Sequence, residues 1–196
     1  AVTGISDVRF LGYRDSGMDG TPDNDNPASL FQADPAKVEG EISALMEELK
    51  PDIVFTHDPT GGYGHPDHVT VYQRTTAVIE AMTGKRPHVY HICFPKKNFA
   101  RLWQDMTDAG ITPPFAKEQL NDIGSPDDYV TTVRDVSDYV DIKNESLSCH
   151  RTQVDPNGPF GAMAPDTLTA WMSTEYFYLV QPTNGETHED ILLDLD

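Results

Sequence analysis

Hydrophobic positions in this chain fall into two alternating rhythms, short apolar runs ended by turn residues and longer stretches with apolar residues three or four apart. The first rhythm reads as strands and the second as the buried stripes of helices. Residues 8–13 are strand-like and lead into a polar loop rich in Asp, Asn, Gly and Pro that lasts to Asn26. Asp34 then stands as an N-cap with Pro35 at the first helical position. Val38, Ile42, Leu45, Met46 and Leu49 follow at helical spacing, which predicts an amphipathic helix of about fifteen residues.

The apolar run 52–57 suits a buried strand, stopped by the turn residues Asp58 to Gly62. A second helix is predicted from Pro66, turning Val71, Thr75, Val78, Ile79 and Met82 inward. Residues 88–94 form the next strand, 99–109 a helix, 129–136 a strand, 137–150 a helix and 176–180 a last strand. Strands alternating with helices predict an α/β fold: a Rossmann-like, three-layer arrangement with a mostly parallel sheet and helices on both faces. No repeat or linker divides the chain, so residues 1–196 are expected to form one domain. Because the chain enters almost directly on a core-type strand, that domain is expected to be incomplete at its N-terminus.

Charge narrows the partners. The chain has 32 acidic and 14 basic residues, a formal charge of −18, which repels phosphate backbones and anionic lipid. Neither nucleic acid nor a membrane is expected as a partner, and no apolar run reaches the roughly eighteen residues needed to span a bilayer. A soluble, cytoplasmic protein is expected. The two cysteines, Cys93 and Cys149, lack a paired metal-ligand spacing and are expected to be free, small hydrophobes.

The chemistry concentrates at residues 56–68, Thr-His-Asp-Pro-Thr-Gly-Gly-Tyr-Gly-His-Pro-Asp-His, on one strand-to-helix turn. Open α/β sheets keep ligands there, beyond the carboxyl ends of their strands. With Pro66 opening the helix, His65 falls at the cap and His68 in the first turn, on neighbouring points of one face. Imidazole is a common ligand of catalytic zinc. A helix N-terminus, however, favours an anion or a developing oxyanion over a cation. The division expected is His68 as metal ligand and His65 as stabiliser of a developing oxyanion. Lys143 and His150, seven apart, share a helix face that could line the site. Trp103, Trp171, Tyr176 and Tyr178 are expected in packing.

The run 56–68 resembles the second signature of the LmbE-like, or PIG-L, deacetylase family. Residues 14–18, Arg-Asp-Ser-Gly-Met, resemble a second block, and 150–153, His-Arg-Thr-Gln, a third. The resemblance implies zinc, or another divalent metal, and hydrolysis of an N-acetyl or other amide group on a small amino-sugar molecule or glycosylated natural product. It also implies that His68 is a metal ligand, that His65 supports the tetrahedral intermediate, and that Tyr63 is a mobile group reaching the substrate carbonyl. Asp67 would orient a histidine, while Arg14, and more weakly Asp34, would contact sugar hydroxyls.

In that family an H-P-D-D motif supplies two further metal ligands and the general base, and this sequence contains none. The missing segment is expected to precede Ala1, lost from this chain or carried on another. Residues 1–196 alone are then expected to bind zinc weakly and to turn over little. The competing expectation is a non-catalytic sugar-binding relative that has lost its metal. A homo-oligomer is compatible with either.

Overall fold

The computed structural model describes residues 2–152, 155, 157–182 and 187–192; Gln153, part of the third resembling block, lies outside them. The α/β architecture is as expected, a four-stranded sheet with helices on both sides. Helix α1 (Pro35–Leu49) opens where Asp34 accepts the Ala36 N–H at 3.0 Å, and it closes at Lys50 in the left-handed region. Strand β1 (Ile53–His57) leads through one helical turn, α2 (Gly61–Gly64), into α3 (Pro66–Ala81). Strand β2 (His88–Cys93) and α4 (Lys96–Asp108) follow. Then come β3 (Thr132–Asp135), α5 (Val140–Ser148), α6 (Pro165–Met172) and β4 (Thr174–Val180). No helix among the described residues is long and apolar enough to cross a membrane.

The strand order is β1-β2-β4-β3. β1 pairs parallel with β2, whereas β4 pairs antiparallel with both β2 and β3. Only β4 therefore runs against the others. Because it lies between β2 and β3, the sheet is mixed in its pairings where the sequence predicts mostly parallel ones. Alternating strands and helices give the direction of a βαβ unit, but they do not reveal that the last strand inserts into the middle of a sheet.

One expected strand is absent. Residues 8–13 form no ladder with any strand among the described residues, and Val8 and Phe10 are 66% and 91% exposed. An apolar run becomes a strand only when another backbone accepts its hydrogen bonds. Here the chain is held at its end instead, where Arg14 N–H donates to Ala28 C=O and Leu30 N–H to Arg14 C=O. The sequence pattern does not predict helix α6, and Cys149, read as a small hydrophobe, is exposed. Both cysteines are free.

The pleat sorts the sheet into two faces. Tyr90, Phe177 and Leu179 pack on one side with Leu192. His91 points to the other, where Tyr72 of α3 meets it edge-on at 5.2 Å and the Tyr129 hydroxyl lies 2.7 Å from its Nδ1. A separate cluster of Leu102, Met106 and Met163 seats α4. The expected core position of Trp171 agrees, since it packs against this cluster.

Burial holds the His91 imidazole down to about 4, opposed by the Asp58 charge. As pH falls below 6.5 the unfolded chain takes up this proton first, so the stability tied to neutral His91 is full above 6.5 and is lost on the way to about 4. Urea unfolding of wild type and His91→Gln at both ends of that window should show a smaller acid-induced loss in the variant. Equal losses would show that His91 does not titrate across it.

Candidate functional site

The site is built on the turn between β1 and α3. Asp58, fully buried at the end of β1, accepts the Thr60 N–H at 3.0 Å, the Thr60 hydroxyl at 2.7 Å and the Gly62 N–H at 3.0 Å. These bonds fold the chain back on itself in the manner of an Asx turn. Gly61 and Gly62 then take positive φ, +63° and +75°. At Gly61 a Cβ would fall 2.9 Å from the His68 Cβ, so a side chain there would displace the helix start.

α3 begins at Pro66 with His65 as its cap, as the sequence predicts. The capping contact also fixes the cap's chemistry: His65 Nδ1 accepts the Asp67 N–H at 3.2 Å. A ring nitrogen that accepts carries no proton, so the neutral His65 ring holds its proton on Nε2. His68 is set the other way. Its Nδ1 lies 3.0 Å from the Gly61 carbonyl, which can only accept, so Nδ1 carries the proton and Nε2 keeps its lone pair. The two rings lie 4.9 Å apart.

Tyr63, 47% exposed, presents its ring edge-on to His68 at 5.2 Å and to His65 at 6.2 Å. Burial first, and the Asp15 charge second, push its phenol above the usual range. On the far side His57 stacks on His68 with centroids 3.9 Å apart and planes within 7°. Burial, followed by the neighbouring His68, holds His57 down to about 4, so it faces His68 as a neutral ring.

The loop carrying Arg14 is tied to the same helix start. The Asp67 carboxylate, expected to orient a histidine, instead accepts both the N–H and the hydroxyl of the buried Ser16. Asp15 Oδ1 comes within 3.8 Å of His65 Nε2, where a protonated Nε2 would face it. One ligand atom each from Asp15, His65 and Asp67 lies within 4.8 Å of the others. This trio suits a cation poorly as it stands, because the Nε2 that would bind carries the proton and the Asp67 oxygens already accept from Ser16. His68 Nε2 is the better-prepared metal donor.

The remaining expected residues are more scattered. Arg14 lies in the loop beside Asp15, exposed and donating to Asp23 at 2.9 Å. Asp34 is engaged at the cap of α1. Lys143 donates to the Met172 carbonyl and pairs with Glu175 at 2.9 Å. With His150 it lines a cavity of about 470 Å³ walled by Phe94, Trp171 and Phe177. The sequence marks Asp58 only as a turn residue and gives no role to Ser16 or Ser125. An Asp followed by Pro-Thr-Gly does signal an Asx turn, whereas the partnerships of Ser16 and Ser125 span 51 and 67 residues and leave no local trace.

A family profile described as PIG-L, GlcNAc-PI de-N-acetylase, matches residues 1–81. A 1D-myo-inositol 2-acetamido-2-deoxy-alpha-D-glucopyranoside deacetylase of Thermobifida fusca is 37% identical, the match covering 94% of this chain and 70% of the relative. Proteins of the same name from Acidothermus cellulolyticus and Thermomonospora curvata are each 34% identical. Those matches cover 93% and 97% of this chain, and 65% and 69% of the relatives. The chain thus spans about two thirds of the length of these curated relatives. With the Tyr-Gly-His-Pro-Asp-His turn in place at the end of β1 and this identity extending along nearly the whole chain, the protein belongs to the PIG-L, or LmbE-like, family.

Proposed function

We propose that this chain contributes to the centre of a metal-dependent N-deacetylase that removes an acetyl group from a small amino-sugar molecule. The observation that carries the reading is the opposite hydrogen-bond setting of two neighbouring rings, His65 Nδ1 on a backbone N–H and His68 Nδ1 on a backbone carbonyl, which calls for opposite tautomers. One ring offers a lone pair to a metal and its neighbour offers a proton to a developing oxyanion, the two functions that amide hydrolysis needs side by side. The names of the relatives support an N-acetylated glucosaminyl-inositol as the kind of substrate.

His68 Nε2 would give zinc or another divalent ion one ligand from this turn. The remaining ligands and the general base would come from an H-P-D-D motif, which this sequence does not contain. When bound, such an ion supplies a hydroxide-like water near neutral pH and polarises the amide carbonyl. The chain's own residues do the rest. His65 donates from Nε2 to the oxygen that gains charge, and Tyr63 reaches the same carbonyl from the exposed side of the turn. Asp67 holds the loop of Ser16 and Arg14 at the helix start, which places Arg14 for sugar hydroxyls. Asp34 is a more distant candidate for the same contact.

His68→Ala in the complete natural protein should abolish metal binding. His65→Ala should keep the metal and lose turnover by about a hundredfold or more. Metal analysis and amine release from an N-acetylglucosaminyl substrate measure the two effects. Undiminished metal in the His68 variant would defeat the assignment, and a protein that binds the sugar without metal or turnover would be a non-catalytic relative. Gly61→Ala should act at one remove, destabilising the fold by about 1–3 kcal/mol at its positive-φ position and lowering metal affinity by moving His68. Wild-type affinity in that variant would show that the Gly61 carbonyl is not what sets His68.

A further inference from the structure

The Gly61–Tyr63 turn is held from beneath by groups far away in sequence. Ser125, fully buried, donates its hydroxyl to Asp58 Oδ2 at 2.5 Å. The same Ser125 oxygen accepts the Phe94 N–H at 3.2 Å, and the Ser125 N–H donates to the Phe94 carbonyl at 2.8 Å. Gly124 N–H donates to the Gly62 carbonyl at 2.8 Å. Gly124 is required there: its φ is +85°, and a Cβ would fall 2.6 Å from the Phe94 carbonyl oxygen.

These bonds fix both ends of one residue. Gly62 has its N–H on Asp58 and its C=O on Gly124, while the Phe94 ring lies 3.3 Å from where its Cβ would be. Tyr63 follows immediately, and the next backbone freedom is at Gly64, whose φ is +83° and whose Cβ position is open. Gly61, just before, donates its N–H to the Asp58 carbonyl at 3.0 Å and offers its own carbonyl to His68. The clamp at Asp58 thus reaches Tyr63 on one side and the acceptor for His68 Nδ1 on the other.

We propose that the buried Asp58–Ser125 pair, with Gly124, is a positioning device for the candidate site. It fixes Gly62 so that Tyr63 swings from a set point and the Gly61 carbonyl stays aligned on His68. The proposal deepens the function proposed above and rests on that reading for its catalytic consequence. Asp58 and Ser125 touch no reacting group; they act through the turn. A pair serving only to stabilise the fold would behave differently, since its loss would loosen β1 and β2 together and leave the folded site intact.

The test uses Ser125→Ala, with Asp58→Asn as a near-isosteric second variant should the first fold poorly. Amide hydrogen exchange of the metal-free protein compares Gly62 with the ladder amides of β1 and β2. Steady-state kinetics of the complete natural protein then use an N-acetylglucosaminyl-inositol substrate. Ser125→Ala should speed Gly62 exchange about tenfold while the ladder amides stay near wild type, as expected for loss of one strong hydrogen bond. It should lower kcat about tenfold with KM within about twofold, because the turn is misplaced rather than the sugar lost. Asp58→Asn should do the same in both readouts. Unchanged Gly62 exchange, or a uniform rise across both strands, would overturn the proposal, as would faster Gly62 exchange with unaltered kcat. The exchange arm needs neither metal nor substrate, so it separates the two failures: a wild-type protein without turnover would sink the functional reading, while selective loosening of Gly62 would still support the clamp.

Discussion

A backbone carbonyl accepting from one imidazole and a backbone amide donating to the next impose opposite proton positions on two rings whose centroids are 4.9 Å apart. Imidazole is nearly symmetric in shape, and its two nitrogens differ in chemistry only through what each is bonded to. The Gly61 carbonyl and the Asp67 amide therefore decide which histidine can give a lone pair and which can give a proton. Two residues of the turn keep those backbone groups where they are. Gly61 must be glycine because of its φ and its closeness to His68. Pro66 starts the helix at the position that makes His65 a cap.

The larger fold supplies the place. β1 and β2 run parallel and end together, so the turn after β1 rises at the edge of the sheet beside the start of α4. α3 packs against β1 and α1, which directs its N-terminus and first-turn histidine toward that edge. The partial positive charge of a helix N-terminus makes it a natural neighbour for a developing oxyanion. It is a less natural one for a metal. His68 stands in the first turn with its ring stacked on His57, one step removed from the cap.

Much of this was legible in the sequence where the signal is local. Pro35 after Asp34 and Pro66 after His65 mark two helix starts, and both are capped as their residue types imply. His65 stands at the cap of α3 and His68 in its first turn, where Pro66 sets them. What was not legible depends on partners distant in the chain. The apolar run 8–13 has strand composition, but its backbone finds no ladder among the described residues, and composition cannot supply one. β4 is plainly a strand in sequence, yet its insertion between β2 and β3 is a matter of topology. Ser125 is one serine among many until the fold sets it on Asp58.

The chemistry of the turn rests on the proton positions of two rings. Long-range nitrogen–proton correlation spectra of histidine-labelled, metal-free protein at mildly alkaline pH read those positions directly. His68 should be protonated at Nδ1 with Nε2 bare, and His65 protonated at Nε2 with Nδ1 bare. The same tautomer on both rings, or the reverse assignment, would contradict that arrangement.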